Sequence, residues 1–101
     1  MPNISTSGPN KENEFIIAIN GEFDFNLVEP FVEAYENINI GSNKIVIDFR
    51  DTDFMDSSGL GMLIKLRKHF GPSADIRLRS PNPQVMDILE IARFEEEFTI
   101  E

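Results

Sequence analysis

The residues best equipped for chemistry in this chain crowd into one stretch, Asp53-Phe54-Met55-Asp56-Ser57-Ser58-Gly59-Leu60-Gly61. It lies between an almost continuously apolar run and an amphipathic one, where a strand hands over to a helix. Such a junction can hold a helix cap, a phosphate cradle or a phosphate acceptor. Capping accounts for one polar residue: Asp56 or Ser57 can accept a hydrogen bond from a backbone N–H that the helix leaves unpaired. It leaves the second serine and both glycines without a reason. In a helix interior Gly59 and Gly61 each cost roughly 1 kcal/mol against alanine. Their presence points to close approach of something to the backbone, either a neighbouring strand or a partner.

Several chemistries are excluded by spacing. A P-loop needs Gly, four residues and then Gly-Lys with a hydroxyl, and a dinucleotide fold needs G-x-G-x-x-G; Gly59-Leu60-Gly61 runs on into Met62-Leu63-Ile64 and fits neither. Asp51, Asp53 and Asp56 have the look of a Ca²⁺ loop or of the D-x-D of phosphatases that form an aspartyl-phosphate. Counted from Asp51, however, the sixth position holds Asp56 rather than Gly and the twelfth Met62 rather than Glu. A phosphatase would also need a cap and remote motifs for which 101 residues leave no room. There is no Cys, so no thiolate nucleophile or thiolate metal site exists, and the single His, His69, falls about three turns beyond Ser57 on the same helix, out of hydrogen-bond reach. His69 reads instead as a charge on the helix dipole. The expectation is a chain with no catalytic residue, no metal and no cofactor.

Acceptance of a phosphate from another protein remains. A phosphoserine at a helix start is tolerated by its own chain because the N–H groups and dipole favour an anion. The surface changes instead: about −1.5 to −2 charges arrive beside Asp53 and Asp56, and a partner that had covered a neutral hydroxyl there is repelled.

The elements that position this stretch follow from pattern. The run 14–20 reads as a strand ended by the turn material of "NGEFD". In "FNLVEPFVEAYENI", Leu27, Val28, Phe31, Val32, Tyr35 and Ile38 recur at helical spacing, with Pro30 in the first turn and Gly41 in the position after the end. "KIVIDF", 44–49, predicts a central strand of a parallel sheet. A helix from the serine junction runs to "FGPS", "DIRLRS" predicts a strand nearer an edge, "SPNPQ" opens a third helix, and "FEEEFTIE" supplies a last edge strand. The first 13 residues carry at most a short strand at "NIST". Phe54, Met55, Leu60 and Met62 are assigned to the core around the junction.

One α/β domain over 1–101 is therefore expected, and a composition of 41% apolar residues with nine Phe is ample for its core. The formal charge of −9 repels nucleic acid, while Lys65, Arg67, Lys68, Arg77 and Arg79 gather the basic residues into one stretch. No stretch is long enough to span a membrane and the amino terminus lacks a signal-peptide layout, which predicts a cytoplasmic chain.

The run "IVIDFRDTDFMDSSGLGMLIKL", with "GEFD" at 21–24, resembles the STAS domain of bacterial anti-sigma factor antagonists over nearly the whole chain. The resemblance implies a small mixed sheet of about four to five strands with three to four helices mainly on one face. It implies a partner that is a serine kinase anti-sigma factor of the histidine-kinase-like ATPase type, and release by phosphorylation of the serine directly after the aspartate, here Ser57. Asp56, Ser58 and Asp24 then belong to the partner-binding face together with Leu60 and Gly61, and Gly59 eases the kinase's approach. A metal-dependent serine/threonine phosphatase would restore the binding form. Short of phosphorylation, the resemblance leaves a module that binds protein or a small ligand.

Overall fold

The computed structural model describes residues 3–101. Its elements are β1 (Ile4–Ser7), β2 (Glu14–Ile19), β3 (Gly21–Phe23), α1 (Val28–Tyr35), β4 (Lys44–Asp48), β5 (Thr52–Met55), α2 (Ser57–Phe70), β6 (Ile76–Arg79), α3 (Pro83–Ile91) and β7 (Thr99–Ile100), with single 3-10 turns at Phe25–Leu27 and Phe94–Glu96. Five strands form a mixed sheet in the order β1-β2-β4-β6-β7, antiparallel only between β1 and β2. As the apolar run predicts, β4 is its centre, with Ile45, Val46 and Ile47 fully buried. The weakly marked "NIST" does form an edge strand, and the carboxyl-terminal edge strand is present.

From β2 to β4, β6 and β7 the chain steps the same way across the sheet, and right-handed crossovers then set α1, α2 and α3 on one face. That face holds the core: Phe31 and Tyr35 of α1, Leu63 and Leu66 of α2, and Val85 and Leu89 of α3 close over Ile17, Ile45, Ile47, Ile76 and Leu78. Val46 is as buried as its neighbours yet lies outside this core, because alternate strand residues face opposite sides.

A charged brace covers the other side. Arg79 of β6 reaches Glu14 of β2 at 2.7 Å, so the pair crosses over β4. Arg79 also meets Glu101 at 2.9 Å, and Arg77 meets Asp75 at 3.1 Å. Hydrogen bonds from Arg79 and from the Asn10 amide hold the Glu14 carboxyl down at about 2, far below its ordinary 4.5. The basic stretch of the sequence is thereby split three ways. Arg77 and Arg79 brace the back of the sheet. Arg67 turns its guanidinium to the carbonyls of Gly71, Ala74 and Glu97 and over the Phe98 ring. Lys65 and Lys68 stay exposed on α2.

Two elements were not predicted. β3 and β5 pair as a separate parallel ribbon, Phe23 opposite Met55, in segments that read as turn and junction. Strands of three and four residues are too short to show a period. The first helix is also shorter than its pattern: Phe25–Leu27 is a 3-10 turn, α1 ends at Tyr35, and Glu36 is its cap. Asn37 and Asn39 compete with helical bonding just where it stops. Gly41 is consequently not the residue after the helix but sits in the turn before β4 with φ +54°.

Candidate functional site

The β3–β5 ribbon sets the geometry. Phe23 and Met55 are opposite one another and wholly buried, so the residue after each leaves the ribbon at the same end. Both are aspartates; Asp24 caps the 3-10 turn Phe25–Leu27 and Asp56 caps α2. Asp24 Oδ1 accepts the Asn26 N–H at 3.0 Å, and Asp56 Oδ1 accepts the Ser58 N–H at 2.9 Å. Of the two sequence candidates for the α2 cap, Asp56 therefore fills the role. Ser57 becomes the first residue of α2, exposed and free of capping duty.

The remaining motif residues divide by the side of α2 they occupy. Ser58 is half-buried and borders a groove between α1 and α2 that is also lined by Val28, Val32, Gly61, Met62 and Lys65. Gly61 is exposed, and a Cβ on it would meet nothing within 4 Å. Gly59 is buried. A Cβ there would stand 2.5 Å from Met55 Cγ and 2.9 Å from Phe23 Cδ2. A close approach of the kind that its sequence position signals is made by the ribbon beneath it. Leu60 is half-buried against the core. Met55 and Met62 are core residues as expected, whereas Phe54 is not: it lies opposite Glu22 on the ribbon and is 43% exposed.

Sequence reasoning missed the residues that hold the ribbon's other edge. Gln84 of α3 accepts the Met55 N–H at 3.0 Å and donates to the Met55 carbonyl at 2.9 Å, as a neighbouring strand would. Asn82 caps α3 through the Val85 N–H and donates to the carbonyls of Thr52 and Asp53. The first turn of α3 thus fastens the segment that ends at Asp56 and Ser57. The only signal in the sequence was Asn82-Pro83, which marked a helix start and nothing more.

Chemically the site is an exposed hydroxyl at a helix start, directly after the Asp56 carboxylate and at the end of the ribbon that also carries Asp24. Among the described residues no three His, Asp or Glu side chains gather as a metal site, and no helix is long and apolar enough to cross a membrane. The sequence profile of the STAS domain matches residues 5–101. The chain belongs to the STAS domain family.

A STAS-domain containing protein of Pseudomonas aeruginosa is 43% identical over 88 residues, covering 86% of this chain and 87% of that one. Among solved STAS-like structures, a putative anti-sigma factor antagonist of Thermotoga maritima superposes with a TM-score of 0.79 at 20% identity, over 96% of this chain and 84% of its own. The anti-sigma factor antagonist SpoIIAA in its unphosphorylated form gives 0.70 at 22% identity over 97% and 86%. Phosphorylated SpoIIAA of Bacillus gives 0.70 at 19% over 97% and 90%. At these identities the likeness is one of fold, and this STAS domain carries its own side chains on it.

Proposed function

We propose that this STAS domain is the binding component of a phosphorylation switch. It binds a serine kinase anti-sigma factor of the histidine-kinase-like ATPase type, is released when that kinase phosphorylates Ser57, and is returned to the binding form by a metal-dependent serine/threonine phosphatase. The chain itself performs no reaction and needs no cofactor, and the switch works in the cytoplasm.

The observation that carries this reading is the placing of Ser57 as the exposed first residue of α2 with the cap already supplied by Asp56. A phosphate on Ser57 displaces no structural hydrogen bond and sits at the positive end of the α2 dipole, which favours an anion. The fold stays as it is while the face bordered by Asp24, Asp53 and Asp56 gains charge. The fold likeness to SpoIIAA, known in both unphosphorylated and phosphorylated forms, supports the same conclusion.

The test is peptide mass spectrometry of the chain purified from its own cells beside a Ser57→Ala variant. Phosphate at Ser57 that is absent from the variant is the expected result. Its absence under every growth condition would overturn the switch and leave an unphosphorylated binding module.

A further inference from the structure

Gly61 is a glycine that the fold does not require. Its φ is not among the positive values, which occur at Gly8, Gly21, Gly41 and Gly71, and a Cβ would meet nothing within 4 Å. Two residues away, Gly59 has an internal reason, since the ribbon occupies the space of its missing side chain. A glycine inside a 14-residue helix weakens that helix. At Gly61 the loss returns nothing within this molecule.

The groove floored by Gly61 supplies the reason. It holds about 170 Å³ between α1 and α2, with Val28, Val32 and Met62 as apolar walls. Apolar cavities of about 150 Å³ admit a benzene-sized group. Ser57, Gly61 and Lys65 are spaced four apart and so lie along one line of α2. Ser57 is exposed at one end. Lys65, exposed at the other, makes no ion pair among the described residues of a chain whose net charge is −9.

We infer that this groove docks one apolar side chain of the kinase that phosphorylates Ser57, and that a carboxylate beside that side chain pairs with Lys65. The inference rests on the proposed function. A kinase that brings its active site to Ser57 covers α2 one turn further on, so the groove continues the same contact. Charge sets the direction of the docking segment: a cation faces Asp24 and Asp56, the apolar residue enters above Gly61, and the acid reaches Lys65.

The experiment uses the full chain and the purified kinase found to phosphorylate Ser57. Thermal melting and titration are run on wild type, Gly61→Ala, Gly61→Leu and Lys65→Glu. Replacing the glycine restores helix propensity, so Gly61→Ala raises the melting midpoint by about 4–8 °C, and Gly61→Leu melts no lower than wild type. Affinity falls although stability does not, about tenfold for Ala and on the order of a hundredfold for Leu, as the side chain takes the docking space. Lys65→Glu binds about tenfold more weakly with its melting unchanged. A lower midpoint for Gly61→Ala would show that the fold needs this glycine and overturn the inference. Equal binding of wild type and Gly61→Leu would overturn the groove while leaving the Ser57 switch intact. A chain that no kinase phosphorylates overturns both.

Discussion

Gly59 and Gly61 stand two residues apart on one helix and meet opposite surroundings. The sequence motif made both legible as glycines with a purpose, but not which served the fold, because that depends on a ribbon too short to read from periodicity. Gly59→Ala drives a methyl into Met55 and Phe23, both buried and unable to move aside freely. It is expected to lose about 1–3 kcal/mol even after the gain in helix propensity, and Gly59→Val more, measured as the urea midpoint. At Ser57 the expectation is reversed. Asp56 supplies the cap, so Ser57→Ala should stay within about 0.5 kcal/mol of wild type while Asp56→Ala loses about 1 kcal/mol. Equal losses at the two sites would mean that the serine shares the capping.

At the scale of elements, the long apolar and amphipathic runs marked the inner strands β2, β4 and β6 and the three helices, since burial on one or two faces imprints a period. What could not be read was how the site is held. The ribbon's free edge is closed by the side chains of Asn82 and Gln84 rather than by a strand, and a side chain that bonds backbone leaves no mark in hydrophobic spacing. Gln84→Ala removes both bonds to Met55 and is expected to lose about 1–3 kcal/mol. Its local signature is faster amide exchange at Met55, beyond what the change in global stability accounts for. Exchange at Met55 that follows global stability alone would show that α3 does not hold the switch segment in place.

Over the whole molecule, helices protect one face of the sheet and a charged brace the other. The amino-acid sequence showed clustered basic residues and an acidic excess, and neither revealed that Arg79 lies across β4 to Glu14, because that contact joins residues 65 apart. Its consequence is a pH dependence. The Glu14 carboxyl titrates at about 2 in the folded chain against an ordinary 4.5, so the unfolded chain binds the proton first on acidification. Stability from this pair is therefore complete above pH ~5 and is lost as pH falls through 4.5 towards 2. The Arg79 side chain is 30% exposed, so solvent screens the pair, and the contribution is roughly 1–2 kcal/mol at neutral pH. Glu14→Gln should accordingly be less stable than wild type by about that amount at pH 7. Denaturant titrations repeated down the pH scale should find the two curves converging below about pH 4. A difference that stays constant with pH would mean that burial of the Glu14 side chain, and not its charge, is what the brace contributes.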